Sequence, residues 1–147
     1  MLDTYLIITV VVLALVFDFI NGFHDTANAI ATCVSTRAIR PGIAIMGTAV
    51  LNFFGAMIST GVAKTIGGDI VVSPLMINEV IIVAGLCGAI VWNLVTWWIG
   101  MPSSSSHALI GGLLGAVMIS VGVSAINGMG ILKIVASLIL SPITAII

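Results

Sequence analysis

Between Glu79 and Lys133 no side chain carries a formal charge, yet a polar block, Met101-Pro102-Ser103-Ser104-Ser105-Ser106-His107, stands in the middle of that apolar run. A run this apolar must lie in protein or lipid, where every unpaired hydroxyl or backbone amide costs free energy. A Ser tetrad is tolerated there only if protein or a water-filled cavity surrounds it. The block is therefore a candidate ligand site.

Composition agrees with a membrane setting. Of 147 residues, 61% are hydrophobic and 6% charged, against roughly 25% charged in a soluble domain. The apolar stretches are Leu6 to Phe17, Gly42 to Ala63, Val80 to Met101, Ala108 to Ile126 and Ile131 to Ile147. The second and third are the clearest, each about 33 Å long as a helix, which matches the bilayer core. The first is short alone and is expected to continue through its polar neighbour. The N-terminus has no basic region and no small-residue cleavage site, so it reads as membrane sequence rather than a secretory signal. A net charge of −1 with no basic run excludes nucleic acid as a partner. Cys33 and Cys87 lack a CxxC or Cys/His metal spacing and read as packing residues.

No Ser/Gly/Pro-rich linker divides residues 1–147, so the chain reads as a single transmembrane domain. Arg37 and Arg40, with Pro41, form the most basic connection and should face the cytoplasm, which places the Lys64 to Glu79 loop outside. The last apolar segment stops at Ile147 without a charged or aromatic anchor, so a truncated chain is expected. Trp92, Trp97 and Trp98 read as interfacial aromatics, and Asn52 and Asn93 as interhelical hydrogen-bond formers. Gly111-x-x-x-Gly115 reads as a close-packing motif.

A second polar interruption lies near the N-terminus: Asp18-Phe19-Ile20-Asn21-Gly22-Phe23-His24-Asp25-Thr26-Ala27-Asn28. Asn21-Gly22 is a break signal, because Gly frees the backbone and favours departure from a helix. A broken first helix is the expectation. Beyond the break, Asp25, Asn28 and Thr32 recur at i, i+3 and i+7, along one helix face. Two carboxylates and two amides exceed what a helix cap requires, and secondary transporters use broken helices of this kind to coordinate ions.

The Ser block supplies the opposite chemistry. Pro102 and the serines precede a helix opening near His107, and amides at a helix N-terminus, with hydroxyl donors and the positive dipole end, form an anion site without formal positive charge. Phosphate or sulfate fits such a site. The block belongs either to a full crossing or to a re-entrant hairpin. Ser105 and His107 are the residue types of a nucleophile and its base, but no third group orients the base and no G-x-S-x-G elbow is present. The chain does not read as an enzyme.

Together, Asn21-Gly22-Phe23-His24-Asp25-Thr26-Ala27-Asn28-Ala29 and Gly100-Met101-Pro102-Ser103-Ser104-Ser105-Ser106-His107 resemble the inorganic phosphate transporter (Pit) family. The matching positions are Gly22, Asp25, Ala27 and Asn28 in the first block and Pro102 to His107 in the second. The resemblance implies an all-α, multi-pass protein built from two inverted repeats, of which this chain is the N-terminal one. It implies secondary active transport of inorganic phosphate across a cell membrane of the bacterial inner-membrane type. Phosphate would be held by Ser103, Ser104, Ser105 and Ser106 with Asp25, Thr26 and Asn28. Asp18, Asn21, His24, Asp25, Asn28 and His107 would serve the coupling cation, a proton or sodium. Phe-His-Asp-Thr resembles the low-affinity bacterial type, similar to proton-driven carriers of phosphate or neutral metal-phosphate, which favours protons. No resident cofactor or metal is expected. The partners implied are phosphate, the cation, membrane lipid, and a second repeat half or a homo-oligomer. The alternatives are a non-transporting assembly half and an anion channel.

Overall fold

A computed structural model describes residues 2–58, 70–73 and 77–146, and the described residues are almost entirely helical. Most of the Lys64 to Glu79 loop lies outside them. The helices are α1 (Leu2–Ser35), α2 (Pro41–Ile58), α3 (Glu79–Trp98), α4 (Ser105–Ser120) and α5 (Gly128–Ile146), with a 3₁₀ turn at Val123–Ala125.

The first helix corrects an expectation. It runs unbroken for 34 residues through Asn21-Gly22, about 51 Å, longer than a bilayer core. The physical reason is one of proportion. A Gly in a helix interior costs only about 1 kcal/mol relative to Ala, whereas opening the backbone inside lipid leaves several polar groups unpaired at several kcal/mol each. Nothing lies within 4 Å of where a Gly22 Cβ would stand, so this glycine is not demanded by packing either.

The punctuation elsewhere behaves as its chemistry dictates. Pro41 opens α2 at the first helical position, where its missing N–H is no loss. Asn78 caps α3, its side chain accepting from the Ile81 amide at 3.0 Å. At the other end Gly100 turns at φ +69°, a left-handed conformation suited to a residue without Cβ. Met101 to Ser104 are non-helical, and Ser104 then caps α4 by accepting from the His107 amide at 3.4 Å.

The Ser block is thus the turn of a helical hairpin, α3 going in and α4 returning. The two helices pack so closely that a Cβ on Gly112 would strike the Gly85 carbonyl oxygen and come within 3.3 Å of the Ala89 nitrogen. Gly85 in turn has Leu113 against it, a side-chain carbon 2.7 Å from its hypothetical Cβ. The close-packing glycines are therefore Gly85 and Gly112. Gly111 and Gly115, the expected motif, have open space around them, because the seam follows the Ser105, Ala108, Gly112 face of α4.

Two apolar clusters hold this hairpin. Phe17 of α1 packs with Leu86, Ala89 and Ala108, flanked by Val10, Leu13 and Ile82. Farther along α1, Phe23 meets Trp97 edge-on with ring centroids 5.7 Å apart. The contacts climb α1 and α3 in the same order, so those helices run parallel. At the hairpin base, Ile70 and Val71 pack with Ile81, Val117, Ala125 and Ile134. There an isolated antiparallel bridge joins Val71 to Ile126, with Val72 N–H donating to Ala125 O at 2.9 Å and Asn127 N–H to Ile70 O at 3.0 Å.

Among the described residues, two helices, α1 and α3, are long and apolar enough to cross a membrane. Large apolar side chains lie bare, among them Phe53, Trp98 and Ile119. Such surface belongs in lipid or against more protein. This is a membrane protein.

Candidate functional site

The hairpin tip meets α1 beside residues 24–28, two to three turns before α1 ends. Between them lies a cavity of about 270 Å³ lined by His24, Ala27 and Asn28 from α1, Thr96 and Trp97 from α3, and Gly100, Met101 and Pro102 from the turn. A second cavity, of about 500 Å³, separates α1 from α2 and is lined by Asp18, Asn21, Gly22, Asp25, Leu51, Asn52, Gly55 and Ala56.

The first polar interruption is thereby divided. At 100° per residue, positions 18, 21, 22 and 25 share one face of α1, and 24, 27 and 28 share the next. The structure brings His24 and Asn28 to the hairpin tip and turns Asp18, Asn21 and Asp25 toward Asn52 of α2. Asp25 and Asn28, expected to act on one ligand, line different cavities. The two stand only about 60° apart around α1, and the boundary between the cavities falls between them.

The Ser tetrad is divided as well. Ser104 is committed as the helix cap through its acceptor oxygen, and its hydroxyl proton stays available to a ligand. Ser105 is buried at 3% exposure, its Oγ without a partner. Ser103 is half-buried and Ser106 exposed, while Thr26 is half-buried and lines neither of these two cavities. His107 is exposed and lines neither of these two cavities, so the structure does not join it to His24.

Trp97, read as an interfacial aromatic, is largely exposed and also packs edge-on against Phe23 and walls the tip cavity. Thr96 was not among the expected site residues. Its hydroxyl donates to the Trp92 and Asn93 carbonyls at 3.0 and 3.1 Å while the residue lines the cavity. The signal for it was a polar pair, Asn93 and Thr96, at i and i+3 in an otherwise apolar helix. Asn93 is fully buried, but neither its Oδ1 nor its Nδ2 finds a partner. Asn52 is exposed in the α1–α2 cleft.

Chemically, the tip cavity offers uncharged donors. His24 and Asn28 line it with side-chain donors, whereas none of Ser103 to Ser106 does; the serines lead from the Pro102 wall into the first amides of α4, which have no intrahelical partners and carry the positive end of the helix dipole. The α1–α2 cleft offers oxygen ligands and negative charge, from Asp18, Asn21, Asp25 and Asn52. One helix presents an anion-type surface on one side and a cation-type surface on the next.

Known proteins share this sequence and fold. A family model described as "Phosphate transporter family" matches residues 21–147. A probable low-affinity inorganic phosphate transporter of Bacillus subtilis is 56% identical over 99% of this chain and 45% of its own length. The low-affinity inorganic phosphate transporter PitA of Escherichia coli is 39% identical over 97% of this chain and 31% of its own. A solved sodium-dependent phosphate transporter superposes with a TM-score of 0.83 at 31% identity, covering 94% of this chain and 36% of that one. The chain spans less than half the length of each of these three relatives.

Proposed function

This chain belongs to the phosphate transporter family, and on that premise we propose that it forms one repeat of a cation-coupled phosphate symporter. The observation that supports this best is the cavity in which the turn before the capped N-terminus of α4 meets His24 and Asn28 of α1. Phosphate binds there, held by the α4 amides, by Ser103, Ser104 and Ser106, and by Asn28. The absence of Lys and Arg from that lining favours binding weak enough for release. The coupling cation binds in the α1–α2 cleft at Asp18, Asn21, Asp25 and Asn52.

The two sites couple through the thickness of α1. Across a helix of about 10 Å diameter, at an effective dielectric of about 20, each pair of unit negative charges repels by about 2 kcal/mol. A phosphate dianion on one side and a bare Asp25 carboxylate on the other therefore oppose each other by several kcal/mol. A cation or proton at Asp25 removes that penalty, so each ligand favours the other.

Asp25→Asn in the full-length protein is expected to abolish coupling of labelled phosphate uptake to the cation gradient. Unchanged uptake and unchanged coupling would refute the assignment. Protons are the proposed cation, with His24 buried beside the phosphate cavity as a carrier. Sodium is the second reading, favoured by the solved relative being sodium-dependent. Replacing external sodium with choline at fixed pH separates them, since only sodium coupling loses uptake.

The site is completed by a second repeat of opposite topology in the bacterial inner membrane; that the chain spans less than half of the three relatives described above leaves room for such a repeat. This chain alone should then bind phosphate weakly or not at all, and binding should return when the remainder is supplied. Uptake that follows membrane potential without any cation gradient would instead identify an anion channel.

A further inference from the structure

Among the described residues, four buried side-chain atoms lack any hydrogen-bond partner: Asn93 Oδ1 and Nδ2, Ser105 Oγ and His24 Nδ1. Each orphaned neutral group costs about 1–3 kcal/mol, so four of them at random would be a heavy burden on one small bundle. They are not at random. Gly85 lies against Leu113, and Gly88 and Ala89 against Gly112; continuing this antiparallel register toward the tip sets Asn93 and Thr96 of α3 against Ala108 and Ser105 of α4. On α1, Phe17 is level with Ala89 and Phe23 with Trp97, which sets the buried strip Phe17, Ile20, His24 against the same stretch of α3. By this register Ser105 stands level with Thr96, one turn tipward of Asn93, and His24 is nearly level with Trp98, so the three orphan-bearing residues fall within about two turns of one another where α1 meets the hairpin, and His24 also lines the tip cavity.

Their chemistry specifies the occupant. Asn93 offers two donor protons and an acceptor, Ser105 one donor and acceptor, and the imidazole nitrogen either role. A balanced, uncharged set of donors and acceptors in a sealed apolar seam suits water, which typically makes about three hydrogen bonds in such sites. An apolar residue at position 93 would close the seam at no such cost, so the carboxamide needs a role.

We propose that Asn93, Ser105 and His24 enclose a buried water node at the junction of α1 with the hairpin, and that Asn93 is through it a positioning residue of the phosphate cavity. The node fixes the first turn of α4, where Ser105 stands, and the ring of His24, which lines the cavity. It thereby sets the spacing between the α4 amides and Asn28. This rests on the reading of the tip cavity as the phosphate site.

The test uses the full-length protein with Asn93→Leu, Ser105→Ala and the double variant. Asn93→Leu is expected to accumulate in the membrane and melt no lower than wild type, while raising the KM for phosphate about tenfold, the equivalent of one hydrogen bond. The double variant should be no worse than the worse single one, because both remove the same water. Asn93→Ser, which leaves room for one more water, should stay within about threefold of wild type. A wild-type KM in Asn93→Leu, or effects that multiply in the double variant, overturns the proposal. If Asn93→Leu fails to accumulate, Asn93→Ser combined with Ser105→Ala decides by the same non-additivity. If the wild-type protein takes up no phosphate, the transport reading falls. The node is then still decided by whether the two substitutions are non-additive in melting temperature.

Discussion

The two polar interruptions carry similar signals, a glycine, a histidine and a cluster of small polar residues, and the chain treats them in opposite ways. At Asn21-Gly22 the helix continues without a break. At Gly100 to Ser104 it stops, reverses and starts again. The difference is that Pro102 removes a backbone donor and restrains the residue before it, whereas the first interruption contains no proline and every amide there can stay in the helical ladder. Function follows the difference. An unbroken helix distributes its polar groups around its circumference, here onto two cavities, while a broken one concentrates free amides at a point.

The contrast can be broken most severely at the seam that lets the hairpin fold back. Gly112→Val drives side-chain carbon into the Gly85 carbonyl and the Ala89 amide, a backbone obstacle that cannot rotate away. A loss of about 3 kcal/mol or more is expected, visible as failure to accumulate in the membrane; Gly111→Ala, placed in open space, should accumulate normally.

A smaller effect tests whether the second interruption works as a cap or as a ligand. Ser104→Ala should cost about 1 kcal/mol of stability through loss of the His107 amide bond and should also weaken phosphate binding. Ser104→Asp keeps the cap and so restores melting temperature, but it sets an anion at the phosphate end, so the KM for phosphate should rise further. If both properties recover together, Ser104 is a cap only.

The smallest effect is the sharpest for the first interruption. Gly22→Ala meets nothing within 4 Å and should stabilise α1 by about 0.5–1 kcal/mol, read as a small rise in melting temperature. Were the helix broken at this position, the same substitution would destabilise it.

Much of this was legible from residues alone because its causes are local. Asn78, Gly100, Pro102 and Ser104 act within a turn of where they stand, and they mark where α3 begins and where the hairpin reverses. The membrane setting follows from the uncharged runs. What the sequence concealed depends on register between helices. That Gly112 rather than Gly111 meets α3, that Trp97 leans on Phe23, and that Asn93 is sealed in the seam all follow from how α3 and α4 slide past each other. No local pattern fixes that. The unbroken course of α1 was hidden for a different reason: the weak break signal at Asn21-Gly22 was set against the cost of unpaired backbone in lipid, and the lipid term is larger.

The bridge between Val71 and Ile126 gives the hairpin a mechanical character. Its two ends are stitched together by backbone hydrogen bonds and embedded among Ile70, Ile81, Val117 and Ile134, while its tip touches α1 chiefly through Trp97 and the cavity walls. It is a beam fastened at the root by hydrogen bonds and along one flank by the cluster of Phe17, Leu86, Ala89 and Ala108. The tight seam at Gly85 and Gly112 opposes sliding of one arm past the other, so the two arms carry a load at the tip as one unit rather than as two separate helices.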